Sequence, residues 1–207
     1  MINKELCLKV KICGITNYED AKTACDYGAD ALGFVTYPKS PRFIKPEDIR
    51  NIIKKLPPFV TKTVLFVNVD AGYVNEVMAF TKADIAQIHF EADEEFYKKL
   101  DFKHIKVIRA KEKKDIEKFK GEYKIVDAYV AEYGGSGKRV ALEWFEERDN
   151  SDIIIAGGLN PDNVFEVGRY GFYGVDVSSG VEKAPGKKDK RKVRKFIDLA
   201  KYGFRCG

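Results

Sequence analysis

Ile153-Ile154-Ile155-Ala156-Gly157-Gly158-Leu159-Asn160-Pro161 is the stretch that decides the fold. Four consecutive apolar residues without polar alternation read as a strand buried on both faces. Two glycines break the run, and Asn-Pro then offers an N-cap followed by proline at the first helical position. A buried strand that passes through a short glycine turn into a helix is one unit of a parallel α/β sheet.

The same unit recurs in both directions. Apolar runs at residues 8–12, 31–35, 63–67, 85–88, 104–108, 123–126 and 173–177 are rich in Val, Ile and Phe. Between them lie amphipathic stretches with helical spacing, such as Asp20, Ala21, Ala24 and Cys25, then Ile49, Ile52, Ile53 and Leu56, and finally Val193, Phe196, Ile197 and Ala200. Eight strand-like and eight helix-like segments alternate with no linker or low-complexity segment. This predicts an α/β fold, a single (β/α)8 TIM barrel domain spanning residues 1–207. The alternative is an open doubly wound sheet, but its GxGxxG fingerprint is missing after the first strand, where the chain reads Cys13-Gly14-Ile15-Thr16.

Composition narrows the function classes. At 207 residues the chain can bury about 70% of its unfolded surface, so no disulfide or metal staple is required. The net charge of +5 favours anionic ligands slightly, with no aromatic-interleaved basic stripe of the kind that binds nucleic acid. The run Lys187-Lys188-Asp189-Lys190-Arg191-Lys192 reads as a solvated helix start. Four cysteines without CxxC spacing and two histidines argue against a zinc site or redox dithiol. No signal peptide and no membrane-spanning run are evident, so a reduced, cytoplasmic protein is expected.

A barrel carries its chemistry at the C-terminal ends of its strands and in the loops that follow. After strand seven come Gly157 and Gly158; after strand eight come Ser178, Ser179 and Gly180. Glycine-rich turns let backbone N–H groups approach an oxyanion, and these two loops are the habitual phosphate cradle of the fold. The loop after strand six, Gly134-Gly135-Ser136-Gly137-Lys138, is a further candidate, with Gly135 near the ligand or in a lid.

Cys13 ends strand one and Asp127 ends strand six. Cys7, Cys25 and Cys206 lie before the strand, on a helix and in the tail, and read as structural or incidental. A carboxylate closing an apolar strand is costly to desolvate without partners or a role. Strands one and six stand three places apart round a closed barrel, so the thiol and the carboxyl should flank a ligand as base and acid. Arg42, in Pro38-Lys39-Ser40-Pro41-Arg42, is either an exposed surface arginine or a fork for a ligand carboxylate. His89 ends strand four and either orients Asp127, contacts ligand or is structural. Lys11 shares the face of Cys13, and Asp176 lies on the neighbouring strand eight; pairing is the simplest way to bury both charges, and Asp176 is also in reach of a ligand.

These segments carry a family resemblance. Residues 9–16 (KVKICGIT), 37–42 (YPKSPR), 134–138 (GGSGK), 156–164 (AGGLNPDNV), 174–182 (GVDVSSGVE) and 185–189 (PGKKD) resemble, in order, the signature segments of the phosphoribosylanthranilate isomerases. The resemblance implies an Amadori rearrangement in tryptophan biosynthesis, with no metal or organic cofactor. Carried over by motif, Asp127 would protonate the furanose ring oxygen and Cys13 would remove the C2 proton. Arg42 would hold the anthranilate carboxylate, and the last two loops the phosphate. The implied partner is a small phosphosugar-anthranilate substrate, with no nucleic acid and no membrane, in a monomer or homodimer. Two alternatives stand beside it. Another phosphate-binding barrel enzyme, such as an indole-glycerol-phosphate synthase, would want a lysine acid at the mouth. A silent phospholigand-binding barrel would need neither Cys13 nor Asp127.

Overall fold

The computed structural model describes residues 8–128 and 139–203. Eight parallel strands close into a barrel: β1 (Lys9–Ile12), β2 (Ala31–Val35), β3 (Thr61–Phe66), β4 (Ile85–Ile88), β5 (His104–Ala110), β6 (Lys124–Ala128), β7 (Ile153–Ala156) and β8 (Gly174–Val177). Each pairs with its sequence neighbour, and β8 pairs with β1 to complete the circle. The side-chain alternation of a strand sorts residues between lumen and outer face. Cys13, Val35, Leu65 and Val67 meet in the lumen on one side, and Val107, Ile125 and Ala156 on the other. Val10, Ile12, Leu32, Phe34, Val64, Phe66 and Ile88 face outward into the main core beneath the helices. Both faces are buried, which is why the strand sequences lack polar alternation.

Five α-helices lie outside: α1 (Tyr18–Asp26), α2 (Pro46–Ile53), α3 (Ala71–Thr81), α4 (Glu94–Lys98) and α5 (Lys190–Tyr202). The side chains of Asn17, Asp70, Asp93 and Asp189 accept hydrogen bonds from first-turn N–H groups of α1, α3, α4 and α5. Among the described residues no helix is long and apolar enough to cross a membrane.

The expected eight regular helices need correction. Between β5 and β8 the described connections carry only 3₁₀ segments, at Lys113–Glu117, Leu142–Phe145 and Val164–Tyr170. The helix expected to start at Asn160-Pro161 is instead a turn, in which Asn160 Oδ1 accepts from the Asp162 N–H at 2.8 Å, followed by the last of these segments. Val164, Val167 and Tyr170 recur every three residues, so a helix with three residues per turn aligns them in one inward row, and Gly171 then ends it with a φ of 70°.

Across the closing seam Lys11 and Asp176 are register partners, and Lys11 Nζ lies 2.9 Å from Asp176 Oδ2. The anticipated buried pair is present. Removing one member strands the other charge, so Lys11→Met is expected to lower stability by about 3–5 kcal/mol. Lys11→Met combined with Asp176→Leu should recover most of that loss. Denaturant unfolding checks both, and a double variant no more stable than the single one would contradict the pair's role.

Candidate active site

The site forms where β1, β2 and β8 end together. The Cys13 N–H donates to the Val177 carbonyl at 2.8 Å, carrying β1 pairing to the residue that bears the thiol. Gly14 then turns the chain with a φ of 74°; a Cβ there would press against Arg42 Cδ and Ser178 Oγ. Gly33, on the neighbouring strand, leaves the room that Cys13 and Lys11 occupy, since a Cβ would stand 2.7 Å from Cys13 Sγ and 2.9 Å from Lys11 Nζ.

Burial pushes the Cys13 thiol up; Lys11 pulls against that, Asp176 adds to it, and Lys188 pulls against it. The Lys11 ammonium beside the sulfur thus favours the thiolate. Asp127, at the end of β6, keeps a side chain 28% exposed and so open to a ligand. Burial, reinforced by the negative charge of Asp176, pushes its carboxyl up to about 6, against the Ala128 N–H, Arg109 and Lys11. Asp176 therefore acts on both the thiol and the carboxyl, and it sits on β8, within the arc that separates them.

His89 caps β4. Burial, then the positive charges of Arg109 and Lys11, press its imidazole down to about 3, so it is neutral at working pH. Its Nε2 lies 4.0 Å from Asp127 Oδ2, beyond a direct hydrogen bond, while Nδ1 is 3.4 Å from Gln87 Nε2. It stands next to the candidate acid without clamping it.

The loops after β7 and β8 are built against each other. Gly157 and Gly158 take φ values of 86° and 62°. Asn163 braces them, its Nδ2 donating to the Gly158 carbonyl and its Oδ1 accepting from the Asn160 N–H, both at 2.9 Å. Gly180 backs directly onto the Leu159 carbonyl, where any Cβ would overlap the oxygen. Ser178 Oγ is buried without a hydrogen-bond partner among the described residues. Gly135 lies outside the described residues.

Arg42 is buried, which overturns the surface reading of it. Its Nε and Nη2 donate to the two carboxylate oxygens of Glu182 at 2.9 and 2.8 Å. Glu182 opens a hairpin formed by β9 (Glu182–Ala184) and β10 (Lys187–Lys188). Lys188 Nζ donates to Glu182 Oε1 at 2.9 Å and to the Ser178 carbonyl at 3.2 Å. Burial would raise the Glu182 carboxyl, but Arg42 and Lys188 outweigh it and hold the pKa below the usual range. The hairpin is tied down elsewhere by Thr16 Oγ1, which donates to the Gly186 carbonyl at 2.6 Å, and by the Lys188 N–H, which donates to Asp20 Oδ2 at 2.9 Å.

Four participants are not singled out as site residues by the sequence reading. Lys188 belongs to the charge run read as solvated, yet it is buried beside the site. Glu182 sits in the same motif as the strand-eight loop. Arg109 shares register with Asp127, and its charge reaches both Asp127 and His89. Gly33 interrupts an apolar strand, a signal of close approach that sequence does carry.

The family model for N-(5'-phosphoribosyl)anthranilate (PRA) isomerase matches residues 10–199. A relative from a Nitratiruptor species, named N-(5'-phosphoribosyl)anthranilate isomerase, is 57% identical over 94% of this chain and all of its own length. The crystal structure of the isomerase from Thermotoga maritima is 39% identical with a TM-score of 0.87, covering 94% of this chain and 98% of that one; a further structure from that organism is described as monomers generated from a dimeric isomerase. Another isomerase structure, in complex with reduced 1-(o-carboxyphenylamino)-1-deoxyribulose 5-phosphate, is 37% identical with a TM-score of 0.81, again over 94% and 98% of the two chains. Matched from the first strand to the last helix, the chain belongs to the N-(5'-phosphoribosyl)anthranilate isomerase family.

Proposed function

We propose that this enzyme converts N-(5'-phosphoribosyl)anthranilate into 1-(2-carboxyphenylamino)-1-deoxyribulose 5-phosphate, in the cytoplasm, with Asp127 as general acid and Cys13 as general base. The observation that carries the assignment of roles is the pair of lumen-facing groups, a thiol ending β1 and a carboxyl ending β6, both under the influence of Lys11 and Asp176. Asp127 gives its proton to the furanose ring oxygen as the C1–O bond breaks, and the nitrogen lone pair forms the iminium. The Cys13 thiolate then takes the C2 proton, and the C–H electrons flow into a C1–C2 double bond. The resulting enolamine tautomerises to the ketone. The phosphate rests on the loops at Gly157, Gly158, Ser178, Ser179 and Gly180, and Arg42 receives the anthranilate carboxylate. Asp176 Oδ1, buried without a hydrogen-bond partner among the described residues, accepts from a sugar hydroxyl, and neutral His89 offers a further hydrogen-bonding group to the ligand.

Phosphoribosylanthranilate formed in situ should lose its anthranilate fluorescence when the protein is added. Cys13→Ser and Asp127→Asn should each lower kcat by at least ~10²-fold while the ligand still binds. Turnover near that of the parent in either variant would reject that residue's role.

The pH dependence follows from the two groups. The reactive form has Asp127 protonated and Cys13 ionised, although the carboxyl titrates at about 6 and the thiol above its ordinary range. Between those values this form is a constant minor fraction, so kcat/KM should be flat. It should fall on the acid side as Asp127 becomes protonated without Cys13 ionising, and on the alkaline side as Cys13 ionises with Asp127 already charged. Asp127→Asn leaves only the thiol, so its residual activity should rise through the alkaline range where the parent falls. An alkaline fall retained in that variant would refute the assignment.

At the opposite end of the barrel, Phe59 follows Pro57-Pro58 and is 98% exposed. It stands at the rim of a cavity of about 300 Å³ whose lining includes Ile85, Ile105, Ile125, Ile154 and Tyr173. We propose that a second copy covers this face, each Phe59 entering the other's cavity about a two-fold axis. Sedimentation should give twice the mass of one chain, and Phe59→Lys should give monomers with activity retained. A parent chain sedimenting as a monomer would sink this arrangement.

A further inference from the structure

A guanidinium has two forks. The side-on fork uses Nε and one N–H of Nη2; the end-on fork uses Nη1 and the other N–H of Nη2. In Arg42 the side-on fork is filled by both oxygens of Glu182. A second carboxylate can therefore still bind in bidentate fashion, and only end-on. Glu182 is itself fixed, since Lys188 Nζ grips Oε1 and also reaches the Ser178 carbonyl in the loop after β8. One carboxylate between two buried cations leaves the cluster with one net positive charge, which suits an anion. Swinging Arg42 away would leave Glu182 without its fork in a buried site, so the guanidinium is held before any ligand arrives.

From this juxtaposition we infer that Glu182 is a positioning residue for carboxylate recognition. It takes the side-on edge of Arg42 and thereby presents the end-on edge to the carboxylate of the aromatic half of the substrate, while Lys188 ties that setting to the phosphate side of the mouth. The inference rests on the reading of Arg42 as the carboxylate's partner. It assigns Glu182 a larger effect on the carboxylate end of the ligand than on the phosphate end, because its carboxylate bonds Arg42 directly and reaches the loop after β8 only through Lys188.

The experiment compares two binding readouts in Glu182→Gln, an isosteric change that weakens the fork. KM for phosphoribosylanthranilate should rise about ten-fold, with kcat and the inhibition constant of inorganic phosphate both within about two-fold of the parent. A merely structural strut would lower the melting temperature without that split. An unchanged KM, or an equal rise in KM and in the phosphate inhibition constant, overturns the inference. If Glu182→Gln does not fold, Glu182→Asp, which keeps the charge on a side chain one methylene shorter, should show the same split at smaller size. Arg42→Ala separates the two readings. If it leaves KM unchanged, the reading of Arg42 fails and takes this inference with it; if it raises KM while Glu182→Gln does not, only the role of Glu182 fails. In the Arg42→Ala background, Glu182→Gln should add less than about two-fold to KM, because the fork it orients is gone.

Discussion

Closure of the sheet between β8 and β1 is the constraint on which the rest depends. It places Lys11 beside Asp176, residues 165 positions apart in the chain, as register partners inside a buried lumen. Neither charge is tolerable there alone. Paired, they become the source of a field at the mouth. The negative member raises both the thiol and the carboxyl, and the positive member pulls the thiol down and opposes protonation of His89. A packing requirement and an electrostatic device are the same two side chains.

Two carboxylates in one site divide the work by environment. Asp176 is bound to Lys11 at 2.9 Å, whereas Asp127 is half-buried and faces Asp176 as a like charge. The imidazole beside Asp127 stands 4.0 Å away and is neutral, so it offers no compensating charge. Desolvation and like-charge repulsion both favour the neutral acid, and the result is a carboxyl that retains its proton into the range where an acid catalyst is useful. The imidazole is the complementary case. Positive neighbours and burial keep it uncharged, so it adds a hydrogen-bonding group to the mouth without neutralising the acid.

The strands are legible because burial on both faces leaves an apolar run that spacing alone detects; the strand-end rule then selects Cys13, Asp127 and His89, and the need to pair Lys11 selects Asp176. The helices after β5 and β7 are less legible. Val164, Val167 and Tyr170 fit a helical pattern as well as a 3₁₀ one, so spacing and residue type do not separate the two. Glu182 and Lys188 are out of reach for another reason. Their partners, Arg42 and the Ser178 carbonyl, come from other loops, and nothing local distinguishes a buried lysine within a run of lysines from its solvated neighbours. Arg42 shows the same limit from the other side: its residue type and rim position are readable, but its burial is not, because the hairpin that covers it lies 140 residues further on.

The glycines of the mouth are explained by crowding more than by backbone freedom. Of Gly14, Gly33 and Gly180, only Gly14 needs a positive φ. Gly33 lies in regular strand, where glycine weakens pairing and contributes no side chain to the lumen. A Cβ at Gly33 would meet the sulfur and the ammonium, one at Gly14 the arginine stem and a serine hydroxyl, and one at Gly180 the carbonyl of the facing loop. At the first two positions the obstacle is the functional group itself, and at Gly14 the positive φ of the turn is a second reason for glycine. A barrel eight strands wide fills its interior with side chains. To set a thiol, an ammonium, a guanidinium and two carboxylates at one end of such an interior, neighbouring positions must give up theirs, and the missing side chains beside Cys13 and Arg42 are the physical form that this concession takes.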